Sequence, residues 1–143
     1  GGPVVSESMQ TSIPGMFAGG NVVHVHDLVD NVSWESELAG QSAAEFVRGR
    51  RKAWESGITL KPGRNIKYIV PHTISGRRGV TLYMRVNEPE EDVRLKVGTI
   101  MTKALRAVKP GEMLKVELSS AGLGKLGEGT TEIVIDCEKR EGR

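Results

Sequence analysis

From Gly57 onward, short apolar runs alternate with turn-forming residues. The runs cover residues 66–70, 80–86, 93–97, 100–107, 113–118 and 131–136, and Pro-Gly, Gly-Arg-Arg-Gly, Asn-Glu-Pro and Lys-Pro-Gly-Glu separate them. Clusters of this kind punctuate strands. Residues 81–86 and 114–118 alternate apolar with polar side chains, as strands with one buried face do. The pattern predicts a small antiparallel β-sandwich over residues 57–143, of a size that suits the immunoglobulin-like type. A Cys…Trp…Cys framework is missing, because Cys137 is the single cysteine, so an antibody-type domain is not expected.

Upstream, the period changes. Leu28, Val32, Ala39, Ala43, Phe46 and Val47 recur at helical spacing, which predicts a helix over about residues 28–50. Asp27, Asp30 and Asn31 are candidate caps or first-turn acids, and Arg48, Arg50, Arg51 and Lys52 follow at the far end. That polarity complements the helix dipole. Ala39, Gly40, Ala43 and Ala44 form a face of small residues. Glycine inside a helix costs about 0.5–1 kcal/mol relative to alanine, so Gly40 is read as a point of close packing. Before the helix, Val4-Val5 reads as a short strand. Pro14-Gly15 makes a turn, Met16-Phe17-Ala18 a short buried strand, and Gly19-Gly20 an exit where another body can approach the backbone. A strand ending this way suits binding at the carboxyl end of an α/β sheet. The expected class is therefore α+β, with a strand-loop-helix unit over residues 1–56 ahead of the sandwich.

Composition narrows the functional classes. The chain has 143 residues, 20 basic and 18 acidic, with a formal charge of +2. It holds one small domain plus an attached element, and cannot hold two dinucleotide domains. Balanced charge and few aromatics argue against nucleic acid as a partner. No run of about 18 apolar residues marks a membrane span. A lone cysteine excludes an internal disulfide and a Cys-x-x-Cys redox pair, and fits a reducing cytoplasm.

The segment Thr11-Ser-Ile-Pro-Gly-Met-Phe-Ala-Gly-Gly-Asn21 resembles the second FAD-binding motif of the flavin-dependent pyridine nucleotide-disulfide oxidoreductase superfamily, Thr-x-x-Pro-Gly-(Ile/Val)-(Phe/Tyr)-Ala-x-Gly-Asp. Gly2–Gln10 is similar to the approach to that motif. Val22-Val-His-Val-His-Asp-Leu-Val-Asp-Asn31 looks like one branch of NAD(P)/FAD-dependent oxidoreductases found beside glycerol-3-phosphate dehydrogenase-type subunits. The likeness covers about residues 1–50. It implies the C-terminal part of a longer flavoprotein that begins here in mid-domain, with FAD as cofactor and NAD(P) as the expected nucleotide. Partners would be the rest of that polypeptide and companion dehydrogenase subunits. Gly20 and Asn21 would meet the ribityl end of FAD, and the backbone N–H groups of Val32 and Ser33 the flavin O2 region. Asn21 replaces the family's Asp, and can both accept and donate there. No catalytic residue can be named, since the redox dithiol, the first glycine-rich loop and the NAD domain are not in this chain. The piece alone is expected to bind no flavin and to be inactive; the alternative reading is a non-catalytic β-sandwich module that docks a partner subunit. Its helix, left bare, would fold back on the sandwich or pair with a second copy.

Three other features carry less. His24 and His26 share a face if their segment is extended. They could hold a metal with Asp27 or form a polar edge near a cofactor or loop. No third ligand follows at a standard spacing, and the resemblance favours flavin-proximal residues without a metal. Arg48–Lys52 reads as a solvated helix end. Gly122-Leu-Gly-Lys-Leu-Gly127 matches a dinucleotide fingerprint, but a strand follows it where a helix is needed, so it reads as a hairpin loop.

Overall fold

The computed structural model describes residues 2–50 and 57–141. Arg51, Lys52 and Trp54 of the basic region, and the boundary placed at residue 56, lie outside them. The described chain is mixed α+β, with most of its regular structure in strands. These are β1 (Ile58–Pro62), β2 (Ile66–Val70), β3 (Thr73–Ile74), β4 (Val80–Val86), β5 (Glu90–Val97), β6 (Met101–Val108), β7 (Leu114–Leu118) and β8 (Glu132–Lys139). Helix α1 (Val29–Val47) precedes them, and a single helical turn, α2 (Ser120–Leu123), lies between β7 and β8.

The strands form two sheets, ordered β3-β1-β8-β5-β6 and β2-β4-β7. Alternation explains how they share a core. Leu82, Met84 and Val86 of β4 and Val116 and Leu118 of β7 belong to one buried cluster. Val93, Leu95 and Val97 of β5 and Ile133, Ile135 and Cys137 of β8 complete it from the other sheet. The polar residues between them face outward.

Two features depart from the sequence reading. The β1–β8 pair runs parallel, with Leu60 opposite Ile133, so the larger sheet is not wholly antiparallel. β7 and β8 lie in different sheets, so residues 122–127 cross between sheets and are not a hairpin. α2 precedes most of that glycine motif, and among the described residues no helix follows it. β1 and β3 carried no sequence signal of their own. Pairing with β8 and with each other defines them.

Residues 2–28 make no extended ladder. Val5, Gln10 and Phe17 join isolated bridges only, Met16 is exposed, and the buried central strand expected at residues 16–18 is not formed. Instead this segment and α1 cover the outer face of the smaller sheet. Val5, Met9, Val23 and Ala39 pack with Val70, flanked by Phe17, Ala18, Leu38 and Tyr68. Backbone bonds from His72 N to Val5 O (2.8 Å) and side-chain reception of Val5 N–H by His72 Nδ1 (3.1 Å) pin the start of the arm.

The helix turns inward a face that overlaps the one its apolar spacing suggests but is centred on Glu35: Ala39 is buried, and Val32, Ala43 and Phe46 are half-buried. Glu35, Ala39 and Ser42 are buried, while Leu28 and Val29 are exposed. Asp27 does not cap: Leu28 holds the N-cap position with no side-chain cap. Among the described residues nothing lies within 4 Å of a Cβ built on Gly40, so close packing between them does not explain that glycine.

Candidate functional site

Glu35 is the only charged residue on the buried face of α1, and the arm folds so that it meets both early histidines. Glu35 Oε2 lies 3.1 Å from His24 Nε2 and 3.0 Å from His26 Nε2, and the three side chains are 2%, 4% and 0% exposed respectively. His26 Nε2 is close to the carboxylate but off the line of a hydrogen bond, and its Nδ1 has no partner among the described residues. A buried carboxylate beside two imidazoles is costly unless its lone pairs are satisfied.

The surroundings orient each member. Gly20 N–H donates to Glu35 Oε1 at 3.0 Å, which leaves Oε2 to the histidines. His24 Nδ1 stands 3.4 Å from the Tyr68 hydroxyl, and Arg85 Nε donates to that hydroxyl at 3.1 Å. The main chain of His26 is held by Asn21, whose Oδ1 accepts its N–H at 3.2 Å. The Tyr83 ring packs edge-on against His26, with centroids 5.4 Å apart. Burial, then the adjacent His24 ring, hold His26 below the ordinary histidine range. Burial also pushes the Tyr68 and Tyr83 phenols up, which keeps them neutral.

Asp27 does not join the cluster. Its carboxylate accepts from Met113 N at 2.7 Å and from Arg85 Nη2 at 2.8 Å, and those two bonds, in that order, hold its carboxyl below the usual range. Arg85 Nη2 also reaches Val25 O at 2.9 Å. Arg85 on β4 therefore ties the histidine segment to the sheet. Beside the cluster lies a cavity of about 540 Å³, walled by Glu35, Trp34, Leu38, Tyr83, Met9 and Arg78 among others.

The residues assigned to FAD by resemblance come together only in part. A Cβ on Gly20 would sit 3.2 Å from Val32 Cγ1 and 3.0 Å from Ser36 Oγ, and one on Gly19 would meet Glu35 O at 2.9 Å. The body that approaches these glycines is thus α1 itself. Asn21 is exposed, Val32 half-buried and Ser33 exposed near the start of α1. No family model matches the chain, and neither a curated protein nor a solved structure does.

Glu35 and Tyr68 escaped the sequence reading. Neither stands at a ligand spacing from the histidines. One signal was available: Glu35, Ala39 and Ser42 lie at i, i+4 and i+7, and together make one helical face.

Proposed function

We propose that this chain is the C-terminal part of an FAD-dependent, NAD(P)-linked oxidoreductase. Residues 1–56 would be the end of its FAD-binding domain and residues 57–143 a β-sandwich module of the immunoglobulin-like type. One observation carries the reading beyond the motif. Among the described residues ten large hydrophobics are exposed; nine lie between Val4 and Val47, and Val134 is the tenth. Apolar surface so concentrated belongs against another layer. The resembled fold supplies one, because its parallel sheet would cover this helix.

The residues present suit the role assigned to them. Asn21 spends Oδ1 on His26 and keeps its side-chain N–H₂ to donate toward a ribityl hydroxyl. α1 begins with no side-chain cap, and an uncapped N-terminus favours an anionic oxygen. Bound FAD would supply the electron or hydride transfer, and this chain would hold and polarise one end of it. The test is FAD affinity of the longer polypeptide with Asn21→Asp and Asn21→Leu. Asp should retain binding, and Leu should weaken it by about tenfold, the worth of one hydrogen bond of about 1.4 kcal/mol. Equal affinities for Asp and Leu would overturn the assignment.

A further inference from the structure

We infer that His24, His26 and Glu35 are the protein ligands of a divalent metal ion of the zinc class. This reading goes beyond the flavin proposal and needs no flavin. Two imidazoles and one carboxylate form a ligand set that zinc takes in catalytic sites. In a tetrahedral site with metal–ligand distances of about 2.0–2.2 Å, neighbouring ligand atoms stand about 3.3–3.6 Å apart. Here Oε2 is 3.1 Å and 3.0 Å from the two Nε2 atoms, so these pairs need to open by only a few tenths of an ångström, and all three ligand atoms lie within 4.8 Å of one another.

Three further observations favour an ion over a hydrogen-bonded cluster. His24 Nε2 forms a hydrogen bond with Oε2, but His26 Nε2, at 3.0 Å, forms none. Glu35 Oε1 is already occupied by Gly20 N–H, so a single oxygen is presented. Each ligand also has its own anchor: Tyr68 for His24, the Asn21 contact for the His26 backbone, and Gly20 for Glu35. Such outer contacts fix ligating side chains. Glu35 also lines the adjoining cavity, while the two histidines lie behind it.

The test uses the 143-residue chain, stripped with a chelator and titrated with Zn²⁺ by calorimetry. One ion per chain is expected. Glu35→Gln should weaken binding at least about 100-fold, and Tyr68→Phe by about tenfold. His72→Asn, outside the cluster, should leave it unchanged. Absence of Zn²⁺ binding by wild type, or undiminished binding by a folded Glu35→Gln variant, overturns the inference. If Glu35→Gln fails to fold, the imidazole NMR signals of wild type decide. The chain has three histidines, and Zn²⁺ should shift those of His24 and His26 and leave His72 in place. Shifts at His72 alone, at all three, or at none overturn it.

Discussion

Gly20 and Gly40 should respond in opposite directions to the same substitution. Gly20 has φ +77°, and an added Cβ would meet Val32 Cγ1 at 3.2 Å and Ser36 Oγ at 3.0 Å. The left-handed backbone alone costs an alanine about 1–2 kcal/mol. Serine 36 can rotate away, but Val32 is β-branched and stiff on a helix, so overpacking adds about 1–2 kcal/mol. Gly20→Ala should therefore destabilise the arm by about 2–4 kcal/mol. Gly40 lies inside α1 with none of the described residues within 4 Å of its added Cβ. Gly40→Ala should stabilise by about 0.5–1 kcal/mol. Urea titration followed by far-UV circular dichroism measures both. A Gly20→Ala protein within about 0.5 kcal/mol of wild type, the range of an ordinary surface change, would refute the packing of residues 19–20 on α1. A destabilised Gly40→Ala would refute the open surroundings of that position.

Arg85→Met keeps the aliphatic stem and removes the bonds to Asp27, Val25 and Tyr68. It should destabilise by about 1–2 kcal/mol, at the low end for charge-assisted bonds because Asp27 is partly exposed, and proteolysis should then cut first in residues 22–28. Asp27→Asn should reproduce part of the effect; an arm equally resistant in Arg85→Met contradicts the tie. His72 is held below the ordinary value of 6.5 by burial, and its Nδ1 must stay unprotonated to receive Val5 N–H. The folded state binds its proton less readily than the unfolded state, so stability is full above 6.5 and falls as pH drops through that value toward the lowered native one. The slope is at most about 1.4 kcal/mol per pH unit for each such histidine. His72→Asn should flatten it between pH 7 and 5 in urea titrations, and an unchanged slope argues against this linkage. Met84 is wholly buried between the sheets, and Met84→Ala should cost about 2–5 kcal/mol by thermal or urea unfolding; a loss below 1 kcal/mol would mean the two sheets do not share that core.

Strand positions were legible because burial on one face leaves a period-two trace. The stretch 80–86 coincides with β4, and 66–70 with β2. β3 spans two residues, too few to show a period. The buried face of α1 was read only in part, for a physical reason. Its inward residues are Glu35, Ala39 and Ser42, and a search for an apolar stripe finds Ala39 but passes over the two polar ones. The cluster was half legible: the histidine pair is visible in the chain, but its third member depends on how residues 20–28 wrap onto the helix. Asp27, adjacent in sequence, was the natural candidate, and Arg85 and Met113 draw it away. Tyr68 and Arg85 reach the site through β2–β4 pairing, which no local spacing encodes.

The most direct measurement is the flavin content of the longer polypeptide that the proposal expects to contain this chain, purified and read by its visible spectrum and by FAD released on denaturation. The account expects one FAD per polypeptide, and a dinucleotide-binding strand-turn-helix upstream of Gly1. A polypeptide that is colourless and releases no FAD contradicts it.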